Sequence, residues 1–149
     1  MPATGLDFDI LPQLLGYQLR RAQLRMFTDF AAAMDAVQIT PGQFGVLVLI
    51  AANPGSTQSA LARAIGIERS TMVAVIDTLE GRTLVERRPS PVDRRSYALV
   101  LSAGGLRMMD RLRPLVRAHE DRIAGNLSPA ERRQLIDLLR RMSDGQETN

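Results

Sequence analysis

Cysteine and lysine are both absent from this chain of 149 residues. Without cysteine there is no disulfide, no cysteine-bound zinc and no thiol redox switch. The longest apolar run, residues 44–52, contains Gly45 and is too short to span a bilayer. Residues 1–9 contain two Asp and no basic residue, which is not the pattern of a secretory signal. We therefore expect a soluble, cytoplasmic protein with no membrane partner.

Arginine supplies all the positive side-chain charge, and the formal net charge of +3 is too small to establish nucleic-acid binding. Genome base composition explains the lack of lysine at least as well as function does, although Arg is the better bidentate partner of guanine and phosphate. The distribution of charge is more informative. Residues 1–55 contain three Arg and four acidic residues, whereas residues 87–95 contain four Arg and one Asp. The positive excess is therefore concentrated in one short segment.

The single histidine, His119, is followed by Glu120 and Asp121. Adjacent residues on a helix point in different directions, so this cluster does not make a metal site, and we expect His119 to face solvent or an interface. The chain also lacks a Ser/His/Asp arrangement, a glycine-rich phosphate loop and clustered metal ligands. We predict that it is not an enzyme and has no catalytic residue, metal or cofactor.

Residues 57–102 follow the element order of a winged helix-turn-helix. Thr57 is predicted to cap a helix that ends at Gly66, and a second helix follows with a slim, polar outer face. Residues 84–88 and 96–101 alternate as two strands, joined by an arginine-rich loop that two prolines stiffen. A slim helix beside a basic hairpin fits the grooves of duplex DNA. These residues predict a protein that recognises DNA sequence.

Amphipathic helices are predicted on both sides of this segment. The first covers about residues 9–36, and Thr40-Pro41-Gly42-Gln43 begins a second, buried helix. After the hairpin we expect a helix over residues 103–125, kinked at Pro114, and a last helix that starts at Ser128-Pro129. The flanking helices carry more apolar surface than one small lobe covers, which favours a two-fold dimer.

The predicted fold is mainly α with a small β-hairpin wing, an α+β arrangement in a single domain over residues 1–149. Residues 1–38 and 103–143 are expected to form dimerisation helices, residues 39–102 the DNA-binding lobe, and residues 144–149 a flexible tail.

The hairpin also carries a short motif of an Asp, one residue, an Arg, five residues, then Leu and Ser, here Asp93, Arg95, Leu101 and Ser102. It is preceded by the run SALARAIGIERSTMVAVIDTLEGRTLVERR. With these features in this order, the chain resembles the MarR family of bacterial transcriptional regulators over essentially its whole length. It departs from the usual family pattern at Thr83, where glycine is common, and at Ala74, where a large polar or basic residue is common.

The resemblance implies a winged-helix homodimer that binds a pseudo-palindromic operator in double-stranded DNA, usually as a repressor. It also implies release from DNA by a small molecule, frequently an aromatic acid or a phenolic compound. The run LGYQLRRAQ is similar to relatives that respond to aromatic carboxylates or their CoA thioesters.

The predicted DNA contacts lie at three places, and each has a plainer alternative. On the second helix of the motif we expect base and phosphate contacts, where the alternative is a solvated helix face. At the start of the preceding helix we expect phosphate contacts, where the alternative is simple capping. In the wing, Arg94 is expected in the minor groove, Arg95 on phosphate or in an ion pair, and Asp93 in a structural pair with an Arg. The residues concerned are Gln58, Ser59, Arg69, Ser70, Thr71, Val73, Asp93, Arg94 and Arg95.

A candidate effector site combines arginines with aromatic rings, a chemistry suited to an aromatic carboxylate or an acyl-CoA phosphate. Its residues are Tyr17, Arg20, Arg21, Phe27 and Phe44. The alternatives are that the two Phe are core residues and the two Arg form salt bridges across the dimer. At the level of the whole protein, the alternatives are a winged helix used for protein interaction and a regulator without a small-molecule effector.

Overall fold

The computed structural model describes residues 5–92 and 95–145. Within them, six α-helices surround a small antiparallel sheet, and a short 3-10 turn (Leu11–Gln13) precedes the first helix. The helices are α1 (Leu15–Ala33), α2 (Pro41–Ala52), α3 (Gln58–Ile65), α4 (Arg69–Gly81), α5 (Ala103–Ile123) and α6 (Pro129–Asp144). The strands are β1 (Ser56–Thr57), β2 (Val85–Pro89) and β3 (Tyr97–Leu101). The predicted α+β winged helix-turn-helix is confirmed.

Side-chain caps begin the helices where the sequence predicts them. Thr40 and Ser128 each accept a backbone hydrogen bond at 3.1 Å from the third helical residue, whose side chain bonds back to the cap. Thr57 accepts from the backbone of Ala60 at 3.2 Å. At the other end of α3, Gly66 is left-handed with φ of 77°, a conformation that glycine adopts without steric cost. These local signals fix the boundaries of α2, α3 and α6.

The sheet has the order β1-β3-β2, with β3 in the centre and both pairings antiparallel. The hairpin strands lie within one residue of their predicted bounds, with Val85 opposite Leu101 and Pro89 opposite Tyr97. Strand β1 was not predicted from the sequence. It is two residues long and pairs through Ser56 and Thr57 with a strand some forty residues later, so local sequence carries little sign of it.

The prediction of one helix over residues 9–36 is wrong in its bounds. Pro12 lies in the 3-10 turn and Leu14 is extended, with φ of −90° and ψ of 130°, so α1 begins only at Leu15. Proline has no backbone N–H, so Pro12 cannot donate a helical hydrogen bond, and the extended Leu14 separates the 3-10 turn from α1. At the other end, the chain turns after Ala33, and Gln38 takes a left-handed φ of 52°. By contrast, α5 is one helix through Pro114.

The turn between α4 and β2 places a left-handed residue at Thr83, with φ of 57°. Thr83 is one of the two positions where the sequence departs from the family pattern it resembles, whereas Gly81 ends α4 without a positive φ. Close packing follows the turn: a Cβ added to Gly105, in the first turn of α5, would lie 2.1 Å from the carbonyl oxygen of Leu84. The start of α5 is therefore seated directly on the backbone at the entry to β2.

A single apolar core joins the second half of α1 to α2, α4, the sheet and α5. Its fully buried members include Leu47, Ile50, Met72, Ile76, Leu79, Leu99 and Leu112. In contrast, α6 buries none of its residues in the single chain, although Arg132 joins it to α5 through Asp121 at 2.9 Å. The apolar side chains left exposed at the two ends of the chain include Ile10, Leu11, Leu14, Leu15, Leu135, Ile136, Leu138 and Met142. These side chains lie in the helices that are predicted to pack against a second copy of the chain in a dimer.

Candidate nucleic-acid interface

The outer face of α4 is polar and unbulky near its first turn. Arg69, Ser70 and Thr71 are exposed, as is Ala74, while Val73 is half-buried. The opposite face is fixed in the core by Met72, Ile76 and Leu79. An α-helix anchored in this way can enter the major groove with its N-terminal residues at the base edges. The structure thus brings the predicted base contacts together on one exposed surface, with Val73 at its edge.

The first turn of α3 belongs to the same DNA-binding lobe as α4. Gln58 and Ser59 are half-buried there, behind the Thr57 cap. With its amide oxygen facing β2, Gln58 accepts from Nε of Arg87 at 3.2 Å and from Nη2 at 2.9 Å. Gln58 therefore has a partner within the protein, which the sequence analysis did not foresee. The predicted phosphate contact of Gln58 competes with this bond.

The wing is formed by β2, β3 and the loop that joins them. Arg95 is exposed just before β3. Asp93 and Arg94, predicted to stabilise the hairpin and to enter the minor groove, lie outside the described residues.

Arg87 is a functional candidate that the sequence analysis missed. It lies on β2 and bonds to two carboxylates of α4, Asp77 at 2.5 Å and Glu80 at 2.8 Å. A sequence signal existed: strand residues alternate between two faces, so Arg87 shares the face of buried Val85, whereas Glu86 and Arg88 are exposed. The charge distribution over residues 87–95 does not distinguish Arg87 from the other arginines of the wing.

The five predicted effector residues do not form one cluster in the single chain. Arg21 lies over the ring of Tyr17, with its guanidinium carbon 5.8 Å from the ring centroid, and Arg20 is exposed beside them. Phe27 lies ten residues beyond Tyr17 on α1, about 15 Å along the helix axis at 1.5 Å per residue. Phe44 packs against buried Phe30, with ring centroids 6.3 Å apart. The site is thus divided between the first turns of α1 and the region where α1 meets α2.

An open groove of about 440 Å³ lies where α1 meets the start of α2. Its lining is largely apolar, from Phe27, Phe30, Ala31, Met34 and Ile39, with Asp35, Gln38, Thr40 and Pro41 at the sides. Of the predicted effector residues, only Phe27 lines it.

The prediction that His119 is solvated or interfacial is wrong for the single chain. Only 2% of the residue is exposed, its ring packs edge-on against Phe30, and Nδ1 lies 2.6 Å from Oδ2 of Asp29. Nε of Arg122 also donates to Asp29, at 3.1 Å. The hydrogen bond with Arg122, and to a lesser extent that with His119, lowers the pKa of the Asp29 carboxyl below its ordinary value. This cluster ties α1 to α5 across 90 residues of sequence, a separation at which local patterns give no signal.

Residues 5–92 and 95–145 contain no group of three or more His, Cys, Asp or Glu side chains arranged to hold a metal ion. In the same part of the chain, no helix combines the length and the apolar character needed to cross a membrane.

Comparisons with known proteins agree with this geometry. The model of the MarR family matches residues 39–97, which include α2, α3, α4 and β2 and end at the first residue of β3. A proposed transcriptional regulatory protein for the hcr operon of Thauera aromatica is 41% identical over 129 residues, which cover 86% of this chain and 78% of that protein.

Solved structures extend the likeness to nearly the whole chain. The transcriptional repressor CouR bound to a 23-mer DNA duplex is 45% identical with a TM-score of 0.89, over 93% of this chain and 98% of that one. CouR bound to p-coumaroyl-CoA is 42% identical with a TM-score of 0.85, over 96% and 99% of the two chains. The predicted resemblance is confirmed: the chain belongs to the MarR family and is a transcriptional regulator rather than an enzyme.

Proposed function

We propose that the protein is a homodimeric repressor that binds a pseudo-palindromic operator and leaves it when an aromatic acid or an aromatic acyl-CoA binds. The observation that carries this is that one lobe presents an exposed, slim helix, α4, which we call the recognition helix, beside a basic wing. The likeness to CouR on DNA supports it. Because its target is chromosomal DNA, we place its action in the cytoplasm.

The dimer follows from the exposed apolar surface of the chain ends. Members of the family act as dimers, and the apolar side chains of α6 remain 36–56% exposed in the single chain. In a two-fold pair, the two α4 helices enter successive major grooves only when they are about 34–36 Å apart. A dimer that holds this separation binds the operator.

A ligand between the dimer helices and the winged lobes would hold the recognition helices at another separation. The groove beside Phe27 lies at this junction, between α1 and α2. The arginine–tyrosine pair at Arg21 and Tyr17 suits a carboxylate or phosphate next to an aromatic group. CouR bound to p-coumaroyl-CoA supports an acyl-CoA ligand of this kind. The ligand then lowers the affinity for the operator by the same factor by which the operator lowers the affinity for the ligand, since coupling is reciprocal.

Operator binding is tested by sequencing the genomic fragments that the purified protein retains and measuring affinity for them at several salt concentrations. Affinity should fall steeply with salt, because phosphate contacts release counterions. Arg69→Ala should reduce the discrimination between bases by about 1–3 kcal/mol. Arg95→Ala should weaken binding to all DNA sequences alike and reduce the slope of log affinity against log salt concentration by about one. Arg133→Ala on α6 is the control and should change neither. A winged helix used for protein interaction would show no preference for any duplex.

Effector release is tested by titrating p-coumaroyl-CoA, p-coumarate and other aromatic acids against the protein–operator complex. Phe27→Ala and Tyr17→Ala should reduce the ligand response and leave ligand-free operator affinity near that of the wild type. Leu106→Ala, an exposed residue of α5, is the control. If no aromatic acid or thioester changes operator affinity, the protein is a regulator without this class of effector.

A further inference from the structure

Arg87 is the point where the three DNA-binding elements of the lobe meet. It lies in the wing on β2, bonds to Asp77 and Glu80 on the recognition helix α4, and contacts Gln58, the first residue of α3. Its side chain is only 17% exposed, although arginine is rarely buried without partners. Burial lowers the pKa of the guanidinium, but the bond to Asp77 and the charge of Glu80 outweigh this and raise it.

We propose that Arg87 is a positioning residue that locks the wing to the recognition helix, so that both reach DNA as one preformed unit. This rests on the proposed operator binding. A planar guanidinium carries five donors in a fixed geometry and can hold two carboxylates and an amide rigidly, whereas an ammonium is a compact charge on a flexible stem. The two parts of a winged helix contact different grooves, and fixing their geometry before binding avoids an entropic cost at binding.

Electrostatics alone predicts a different outcome when the partners of Arg87 are changed. Asp77 and Glu80 are 60% and 44% exposed on the helix that approaches DNA, and their charges repel phosphate. If Arg87 served only to neutralise them, replacing both by amides would tighten DNA binding. If it positions the wing, the same replacement weakens its grip and lowers operator affinity. The two roles thus give changes of opposite sign.

The experiment compares operator affinity, affinity for random duplex and thermal unfolding for Arg87→Met and for Asp77→Asn/Glu80→Gln. Both variants should lose at least about tenfold in operator affinity, the scale of one charge-assisted interaction, and should lose more for operator than for random duplex. The control is Arg88→Met, which removes the same charge from the next, exposed position of β2, where Arg88 pairs with Glu86 at 2.9 Å. Because this variant also removes a positive charge of the wing, any loss it causes should be equal for operator and random duplex, unlike that of Arg87→Met.

Hydrogen exchange of the free protein tests the lock without DNA. Amides of β2 and β3 should exchange faster in Arg87→Met than in the wild type or in Arg88→Met. Unchanged exchange together with unchanged operator affinity, or tighter binding by Asp77→Asn/Glu80→Gln, would overturn the proposal. If the wild type preferred no duplex, the proposed function would fail, while the exchange data would still decide whether Arg87 holds the wing. Should Arg87→Met not fold, the double amide variant, which changes only exposed carboxylates, gives the same comparison.

Discussion

Replacing Thr83 by glycine is expected to raise the free energy of unfolding. Thr83 has a left-handed φ of 57°, which a β-branched residue adopts at a cost of roughly 1–3 kcal/mol. Glycine removes this strain but loses more chain entropy on folding, by about 0.5–1 kcal/mol. The net gain is therefore about 1 kcal/mol.

The turn itself should keep its geometry in this variant, because backbone groups hold it. The N–H of Thr83 donates to the backbone carbonyl of Glu80 at 2.8 Å, and the carbonyl of Thr83 accepts from the hydroxyl of Ser102. The hydroxyl of this exposed threonine donates to the carbonyl of Arg82 at 2.6 Å, so its loss costs little. DNA affinity should remain that of the wild type.

Urea unfolding at one fixed protein concentration measures the effect, since the stability of a dimer depends on concentration. A gain of about 1 kcal/mol also corresponds to a rise of roughly 2–4 °C in Tm for a chain of this size. Thr83→Ala is the matched control: it keeps a Cβ in the left-handed conformation and should gain less than half as much. A Thr83→Gly variant that unfolds at lower urea than the wild type would refute the strain argument.

Two further predictions concern packing and pH. Gly105→Ala should lower the unfolding free energy by about 1–3 kcal/mol, because its Cβ meets the carbonyl of Leu84, whereas Gly42→Ala, with open space around the Cβ, should not destabilise the chain. Equal effects of the two in urea unfolding would contradict this. Asp29 has a folded-state pKa below its ordinary value, so its contribution is present above pH 4 and is lost as the pH falls through the lowered pKa. The stability difference between wild type and Asp29→Asn should therefore be largest near neutral pH and shrink in acid; a difference that grows in acid would show that the sign is wrong.

Local signals made much of the fold predictable from the sequence. The caps at Thr40, Thr57 and Ser128 act within three residues, and the apolar spacing of α4 repeats within a single turn. Such interactions require only neighbours in the chain, so the sequence determines them before any tertiary contact forms. The hairpin was predictable for the same reason, as was the family through the motif around Arg95.

Residues that owe their role to distant partners were not predictable in this way. Arg82 closes the turn before α2 by donating to the carbonyls of Val37 and Gln38, both at 2.7 Å, more than forty residues away. His119 was predicted to face solvent or an interface, whereas the fold places its ring beside Asp29. In each case a polar group is stabilised by a partner that only the packing of helices supplies.

The sequence by itself determined where most helices begin, which faces are apolar and that the positive charge gathers in the wing, because these depend on neighbours in the chain. Only the tertiary structure decided that Arg87 contacts α4 and α3, that β1 completes the sheet, and that the predicted effector residues divide between two regions. These depend on distances between segments far apart in sequence, which are set when the core forms.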